Sequence, residues 1–284
     1  MRVAYLGPAG TNTEEALLAL LGPEGEHVPV PYSTVVGCID AIRAGEVSEA
    51  LVPIENSLEG PVNATLDALA RADGEIVIRA EIVHPVRHHL IARSGTALGE
   101  LSRVLSHPHA LPQCQSWLRE TLPDVETVAV SSTAEAVRMV TEGTEPWAAI
   151  GTLRAADLYG GAVLAADIED ADDVATRFVM VGRDPVDAMG PGRFVTSIIC
   201  VPPRDRPGGL LSILQEFAMR AINLIKLESR PTKTGLGRYL FFIDMEGSRR
   251  RDMAVDAALT ALEEQGIAHV VFLGSYPAGP QVTF

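Results

Sequence analysis

Apolar residues along the chain fall into short runs parted by polar turns. Arg2–Leu6 is a strand-length run closed by Gly7-Pro8-Ala9-Gly10. Thr11-Asn12-Thr13-Glu14-Glu15-Ala16-Leu17-Leu18 then offers a capping-box helix start, Thr11 with Glu14 or Asn12 with Glu15. Val28–Tyr32 predicts a second strand. Thr34–Ala44 predicts an amphipathic helix with Val35, Ile39 and Ile42 at helical spacing. Ala50-Leu51-Val52 reads as a parallel strand buried on both faces, its ladder ended by Pro53. Gly60 and Pro61 turn into the next helix. Glu75–Arg93 is extended and interrupted by Pro85, which predicts two strands running on through a crossover. Strands at Arg103–Ser106, Val125–Val130, Trp147–Gly151 and Val163–Ile168 alternate with helices, one of them running through Leu122 and others entered at Ser131-Ser132-Thr133 and Thr152. The alternation predicts an α/β class with mainly parallel sheets, and the crossover predicts two lobes facing a cleft.

Asp184–Arg193 has no periodicity and is rich in Pro and Gly, as a linker is. After it the order is strand Phe194–Val201, helix Gly208–Ala221, strands Asn223–Ser229 and Tyr239–Glu246, helix Arg251–Gln265 and strand Ala268–Gly274. That is βαββαβ, the ferredoxin-like order. The helix after Arg206-Pro207 opens on Gly208-Gly209, where missing side chains let a ligand or partner backbone approach free N–H groups. A small domain without a general base of its own, beside a catalytic-looking one, suggests regulation or assembly.

At 284 residues, 47% hydrophobic and 21% charged, the chain is of ordinary globular composition. The net charge is −14, with −15 before residue 195 and +1 from there on, since residues 195–284 carry 10 basic and 9 acidic side chains. Nucleic-acid binding is not expected. No apolar run approaches the roughly 20 residues that span a bilayer, and Met1–Gly7 enters a strand without a leader layout. Three widely spaced cysteines, Cys38, Cys114 and Cys200, fit reduced thiols, so a cytoplasmic location is expected. Both lysines, Lys226 and Lys233, lie beyond residue 194, which excludes Schiff-base chemistry from the first part.

The candidate chemistry centres on Asp173–Gly182, a strand entered from an acidic loop with Thr176, Arg177 and Phe178 at its mouth. Alternation puts Thr176 and Phe178 on one face and Arg177 on the other. Arg177 then pairs with Asp172 or Asp173, or anchors the loop, or reaches a carboxylate. Glu55-Asn56-Ser57 lies past the carboxyl end of a strand, where ligands bind in open α/β sheets. The Gly-rich turn before Thr11 has anion-binding geometry. His84, His88, His89, His107 and His109 lack an acidic or cysteine partner at metal spacing, and no metal is expected.

One ordered set of motifs runs through nearly the whole chain. It comprises Gly7-Pro8-Ala9-Gly10-Thr11, Pro53-Ile54-Glu55-Asn56-Ser57-Leu58-Glu59-Gly60, Ser106-His107-Pro108 and Thr176-Arg177-Phe178, then Pro207-Gly208-Gly209-Leu210, Glu228-Ser229-Arg230-Pro231 and Leu273-Gly274-Ser275-Tyr276-Pro277. In these the chain resembles the monofunctional prephenate dehydratases. The resemblance implies a two-lobed catalytic domain similar to type II periplasmic binding proteins, over 1–185. A linker at 186–193, an ACT domain sensing phenylalanine at 194–276 and a tail at 277–284 follow. It implies conversion of prephenate to phenylpyruvate, carbon dioxide and water. Aromatisation drives that reaction, so no cofactor is expected. Thr176 is then the hydroxyl donor, and Arg177 or helix N–H groups near Thr11 hold a carboxylate. Asn56, Ser57 and Glu59 orient the substrate, and Phe178 packs on the ring or holds Thr176. L-Phenylalanine is expected between two subunits, with Pro207, Gly208, Gly209, Leu210 and Leu211 from one. Asn223, Leu224, Glu228, Ser229 and Arg230 come from the other, which makes the protein a homodimer or homotetramer. Gly209 departs from the family's usual Ala, and Ala221 and Ile225 stand where the family often has Gly and Thr. Arogenate dehydration and a non-catalytic two-lobed sensor are the alternatives, and a periplasmic solute binder is disfavoured.

Overall fold

The computed structural model describes residues 1–22, 27–186, 191–233, 235 and 237–279. Part of the expected linker and most of the expected tail lie outside them. The first lobe contains β1 (Arg2–Leu6), α1 (Asn12–Leu21), β2 (Val28–Tyr32), α2 (Val35–Ala44), β3 (Glu49–Asn56), the two-residue β4 (Gly60–Pro61), α3 (Asn63–Ala72) and β5 (Val77–Pro85). The other lobe contains β6 (His89–Arg93), β7 (Arg103–Ser106), α4 (Ala110–Gln113), α5 (Gln115–Thr121), β8 (Glu126–Ala129), α6 (Thr133–Glu142), β9 (Trp147–Gly151), α7 (Leu153–Tyr159) and β10 (Gly161–Ala165). The chain then returns to the first lobe as β11 (Ala175–Gly182), completing the order β2-β1-β3-β11-β5, with β4 on β3. The second sheet has the order β10-β6-β9-β7-β8. The two sheets make the expected pair of lobes, with the chain passing out of the first and back into it.

The sheets are mixed, not mainly parallel. β1 runs parallel to β2 and β3, but β11 is antiparallel to both β3 and β5. A strand that comes back directly from the other lobe has no crossover helix to reverse it, so the alternation rule does not reach it. Nor does Pro53 end β3. The described β1–β3 pairs end at Leu51, whereas pairing with β11 continues through Asn56. Pro53 sits opposite Phe178 at a register shift, a position that tolerates its missing N–H. β10 begins before the expected Val163 because Gly160, in the left-handed region (φ 69°), ends α7 and turns the chain at once.

Two crossovers join the lobes and are laced together. Val86 N–H donates to Val174 O over 2.8 Å, and Ile168 N–H to His88 O over 2.9 Å. Glu169 clamps both, accepting from Arg87 Nη1 and from His88 N–H, each at 2.8 Å. Burial opposes ionisation of Glu169, but these bonds prevail and hold its carboxyl below the ordinary range.

The C-terminal unit is β12 (Phe194–Val201), α8 (Gly209–Ala218), β13 (Leu224–Pro231), β14 (Tyr239–Glu246), α9 (Met253–Glu264) and β15 (His269–Pro277). Its antiparallel sheet has the order β13-β14-β12-β15. Alternation sorts its two faces. Ile198, Cys200, Ile243 and Met245 pack with α8 and α9. Val195, Ile199, Phe242, Leu273 and Tyr276 join one core with Ile76, Ile78, Val179 and Val181 of the first lobe. The unit is therefore docked, not merely tethered. Gly274 (φ 128°) lets β15 press on β5, since a Cβ there would run into the carbonyl oxygen of Ile78. Among the described residues no helix is long and apolar enough to cross a membrane.

Candidate active site

Asn56 ends β3 directly opposite Thr176 near the start of β11. Asn56 Oδ1 accepts from the N–H groups of Leu58 (2.9 Å) and Glu59 (3.1 Å), which fixes the amide orientation. Its Nδ2 then donates to Thr176 Oγ1 over 2.9 Å. The hydroxyl accepts from Asn56, and no acceptor among the described residues takes its own proton. Thr176 is 9% exposed and lines a cleft of about 450 Å³ between the lobes.

Two ten-residue helices from opposite lobes bring their N-termini to this cleft. On α1, Thr11 does not cap with its side chain. Its hydroxyl turns back to the carbonyls of Leu6 and Pro8, and the buried Oδ1 of Asn12 has no partner. The expected capping box is absent, and Glu14 instead accepts from Gly10 N–H and pairs with Arg154. On α6, Ser132 caps by accepting from Glu135 N–H at 3.0 Å. The two N-termini offer unpaired backbone N–H groups and positive dipole ends to an anion in the cleft.

The second lobe adds groups whose roles the sequence did not reveal. His88 Nε2 lies 2.9 Å from Gln113 Oε1, which leaves the Gln113 amide nitrogen to donate into the cleft. Burial lowers the pKa of His88, outweighing Gln113 and Glu169, so the ring is neutral at pH 7. His107 also lines the cleft, and its pKa is lowered by burial and then by His109. His107 Nδ1 accepts from His109 N–H at 3.3 Å, so the neutral ring carries its proton on Nε2. The available signal was Ser106-His107-Pro108-His109 at and just past a strand's carboxyl end.

Glu59 lines the cleft and pairs with His109 of the opposite lobe. Ser57 bonds to Ala175 instead, its Oγ accepting from Ala175 N–H at 3.0 Å. Phe178 shares the face of Thr176 but is 2% exposed in a core with Tyr5, Leu17, Leu51 and Met180, one pleat too deep to touch a ligand ring. Arg177 faces away from the cleft. Its Nη1 lies 2.6 Å from Asp244, Nε 2.8 Å from Glu81 and Nη2 3.0 Å from the Tyr276 hydroxyl. Burial opposes its charge, but these neighbours hold it protonated. Its donors are committed to the C-terminal unit and to β5, not to Asp172, Asp173 or a substrate.

Of the expected effector residues, Gly208–Leu211 line a groove of about 940 Å³ at the start of α8, with Arg206, Thr232 and Tyr239 nearby. Asn223–Arg230 do not line it. Leu224 packs on the C-terminal core, and Arg230 is held by Asp67 of α3 at 2.9 Å.

Residues 3–186 match the family model for prephenate dehydratase, and residues 203–264 that for the ACT domain. The chain belongs to the prephenate dehydratase family. It is accordingly a lyase. It is 41% identical over 276 residues to a prephenate dehydratase of Amycolatopsis methanolica, covering 97% of this chain and 88% of that one. A bifunctional chorismate mutase/prephenate dehydratase of Neisseria gonorrhoeae is 38% identical over 282 residues, 98% of this chain and 74% of the other. Among solved structures, a prephenate dehydratase of Arthrobacter aurescens in complex with L-Phe has a TM-score of 0.90 at 40% identity, covering 98% of this chain and 90% of that one. GqqA, described as a novel type of quorum quenching acylase, has a TM-score of 0.87 at 28% identity and covers 99% of each chain. In this chain the Asn56–Thr176 pair lies in a cleft between two helix N-termini.

Proposed function

We propose that the cleft turns prephenate, in preference to arogenate, into phenylpyruvate, carbon dioxide and water. The observation that carries this reading is the Thr176 hydroxyl, oriented by Asn56 with its own proton uncommitted. The substrate is a dianion. The N-termini of α1 and α6 suit its two carboxylates, and Gln113 and His107 add neutral donors. Thr176 donates its hydrogen bond to the ring hydroxyl as that group leaves. The bond from ring to carboxylate carbon breaks, its electron pair enters the ring, and the C–O bond opposite breaks. The departing hydroxide takes up one proton from solution to become water, and the carboxylate leaves as carbon dioxide. Thr176 is a very weak acid, so its contribution is a hydrogen bond at the developing charge.

The catalytic part is residues 1–185 and the regulatory part 194–276. L-Phenylalanine binds between regulatory domains of two copies. Support comes from the open groove at Gly208–Leu211 at the start of α8, and from the similar prephenate dehydratase of Arthrobacter aurescens, solved in complex with L-Phe. The assembly is a homodimer or a tetramer of such dimers. The protein works in the cytoplasm, in keeping with its three buried free thiols, and engages neither nucleic acid nor membrane.

The test is turnover of prephenate to phenylpyruvate by the purified chain, with and without L-phenylalanine. Product suppressed by phenylalanine supports both parts of the reading, and Glu228→Ala should then raise the half-effective phenylalanine concentration about tenfold. Product from arogenate and none from prephenate overturns the substrate assignment. No product from either favours the sensor.

A further inference from the structure

We propose that Lys226, in the regulatory sheet, is a positioning residue for the Asn56–Thr176 pair and acts on it through Glu55. This rests on the dehydratase reading of the cleft.

β3 and β11 carry two consecutive cross-strand pairs, Asn56 opposite Thr176 and Glu55 opposite Arg177. Successive side chains point to opposite faces, so Asn56 and Thr176 face the cleft while Glu55 and Arg177 face the regulatory sheet. Arg177 does not neutralise Glu55. Its nitrogens are engaged by Glu81, Asp244 and Tyr276, and Glu55 Oε2 lies 4.0 Å from Nη1. The Tyr276 hydroxyl and the Asp244 carboxylate are tied in turn by Ser197. That cluster is closed without Glu55.

The counter-charge for Glu55 is the ammonium of Lys226, 2.8 Å from Oε2. The Lys226 side chain is 9% exposed, and the contact is an ion pair without hydrogen-bond alignment. A buried ammonium is costly unless paired, so the two side chains are held together. Lys226 stands opposite Asp244 on β14, beside a register shift in β13. β13 is an edge strand, so movement of this bulged segment is opposed by one neighbouring strand, not two. Two residues further along it is Glu228, and Arg230 then grips Asp67 of the first lobe. A change in β13 therefore moves the partner of Glu55. Glu55 released from Lys226 loses its fixed position, since the Arg177 cluster has no donor left for it, and Asn56, one residue away, loses its aim at Thr176.

The experiment is a double-mutant cycle on the full chain: Lys226→Met, Glu55→Gln and both together, with kcat, KM for prephenate and thermal midpoint measured for each. Each single change should lower kcat about tenfold with KM altered less than about threefold. The double variant should be no worse than the worse single one, because both act through one contact. A merely structural ion pair would move the thermal midpoint and leave kcat in place, and that result overturns the proposal. Effects that multiply in the double variant also overturn it. Should Lys226→Met not fold, Glu55→Gln and the charge-free double variant decide the matter. Wild-type kcat in either overturns the proposal, and equally lowered kcat in both supports it. Absence of turnover of both prephenate and arogenate by the unaltered chain overturns the dehydratase reading and the proposal with it. Wild-type turnover with unaffected variants overturns the proposal alone.

Discussion

Asn56 Nδ2 donates to Thr176 Oγ1 across 2.9 Å, joining the last residue of one strand to the mouth of the next. The bond saturates a lone pair of the hydroxyl and leaves the proton free to follow a leaving group. Thr176→Val keeps the shape and removes the donor. It should lower kcat by about 10²–10⁴ with little change in KM, and cost about 1 kcal/mol of stability through the unpaired Asn56 amide. Thr176→Ser should retain most of the activity. Steady-state kinetics and thermal melts read both, and wild-type kcat in the valine variant would remove Thr176 from the chemistry.

Ser57 sits beside Asn56 but serves the backbone. Its Oγ accepts from Ala175 N–H, and its own N–H donates to Ala175 O over 2.9 Å. Ala175 is 7% exposed, so water cannot readily replace the lost acceptor. Ser57→Ala should therefore destabilise by about 1–3 kcal/mol. The expected signature is a fall in thermal midpoint with KM for prephenate within about twofold of wild type. A large rise in KM at unchanged stability would return Ser57 to the substrate.

Ser57 and Asn56 are neighbours in sequence, yet only tertiary contacts separate their roles. Strand alternation placed Thr176 and Arg177 on opposite faces, and the structure agrees. It could not say that the face of Arg177 is covered by the regulatory sheet, because its partners Asp244 and Tyr276 lie 67 and 99 residues away. Phe178 has the parity of Thr176, but depth below the cleft is a tertiary quantity that a period-two pattern does not carry. The same holds for Gln113, whose donor is aimed by His88 through a contact between segments 25 residues apart. Local signals did survive where the cause is local, as in the caps at Thr34, Ser132 and Thr152. Thr11 is the exception, since its hydroxyl finds the carbonyls of the preceding turn first.

Ala221 occupies the left-handed region at φ 54°, in the turn between α8 and β13. Its position is one where the family resemblance leads to glycine. A Cβ in that conformation costs about 1–2 kcal/mol. Ala221→Gly should relieve the strain, and the greater entropy of a glycine in the unfolded chain offsets part of the gain. A net stabilisation of about 0.5–1 kcal/mol is expected by chemical denaturation. A variant less stable than wild type would mean that the Ala221 methyl packs more than it strains.

His88 makes stability depend on pH in a direction that can be worked out. It is buried against Gln113, Glu169 and His89, and burial, the largest influence, lowers its pKa from the ordinary 6.5. Above 6.5 the ring is neutral in both folded and unfolded chains, and its contribution to stability is fully present. As the pH drops below 6.5 the unfolded chain takes up a proton that the folded chain refuses, so stability falls until the lower, folded pKa is reached. His107 shifts in the same direction and steepens the same window. Glu169, whose folded pKa is also lowered, keeps its contribution until the pH falls below the ordinary carboxylate range. Chemical denaturation between pH 7.5 and about 5 should show stability declining with a slope of up to about 1.4 kcal/mol per pH unit per histidine. His88→Asn should flatten that slope, because asparagine has no proton to gain. An undiminished slope in the variant would mean that His88 already takes up its proton in the folded chain, with Glu169 compensating the charge.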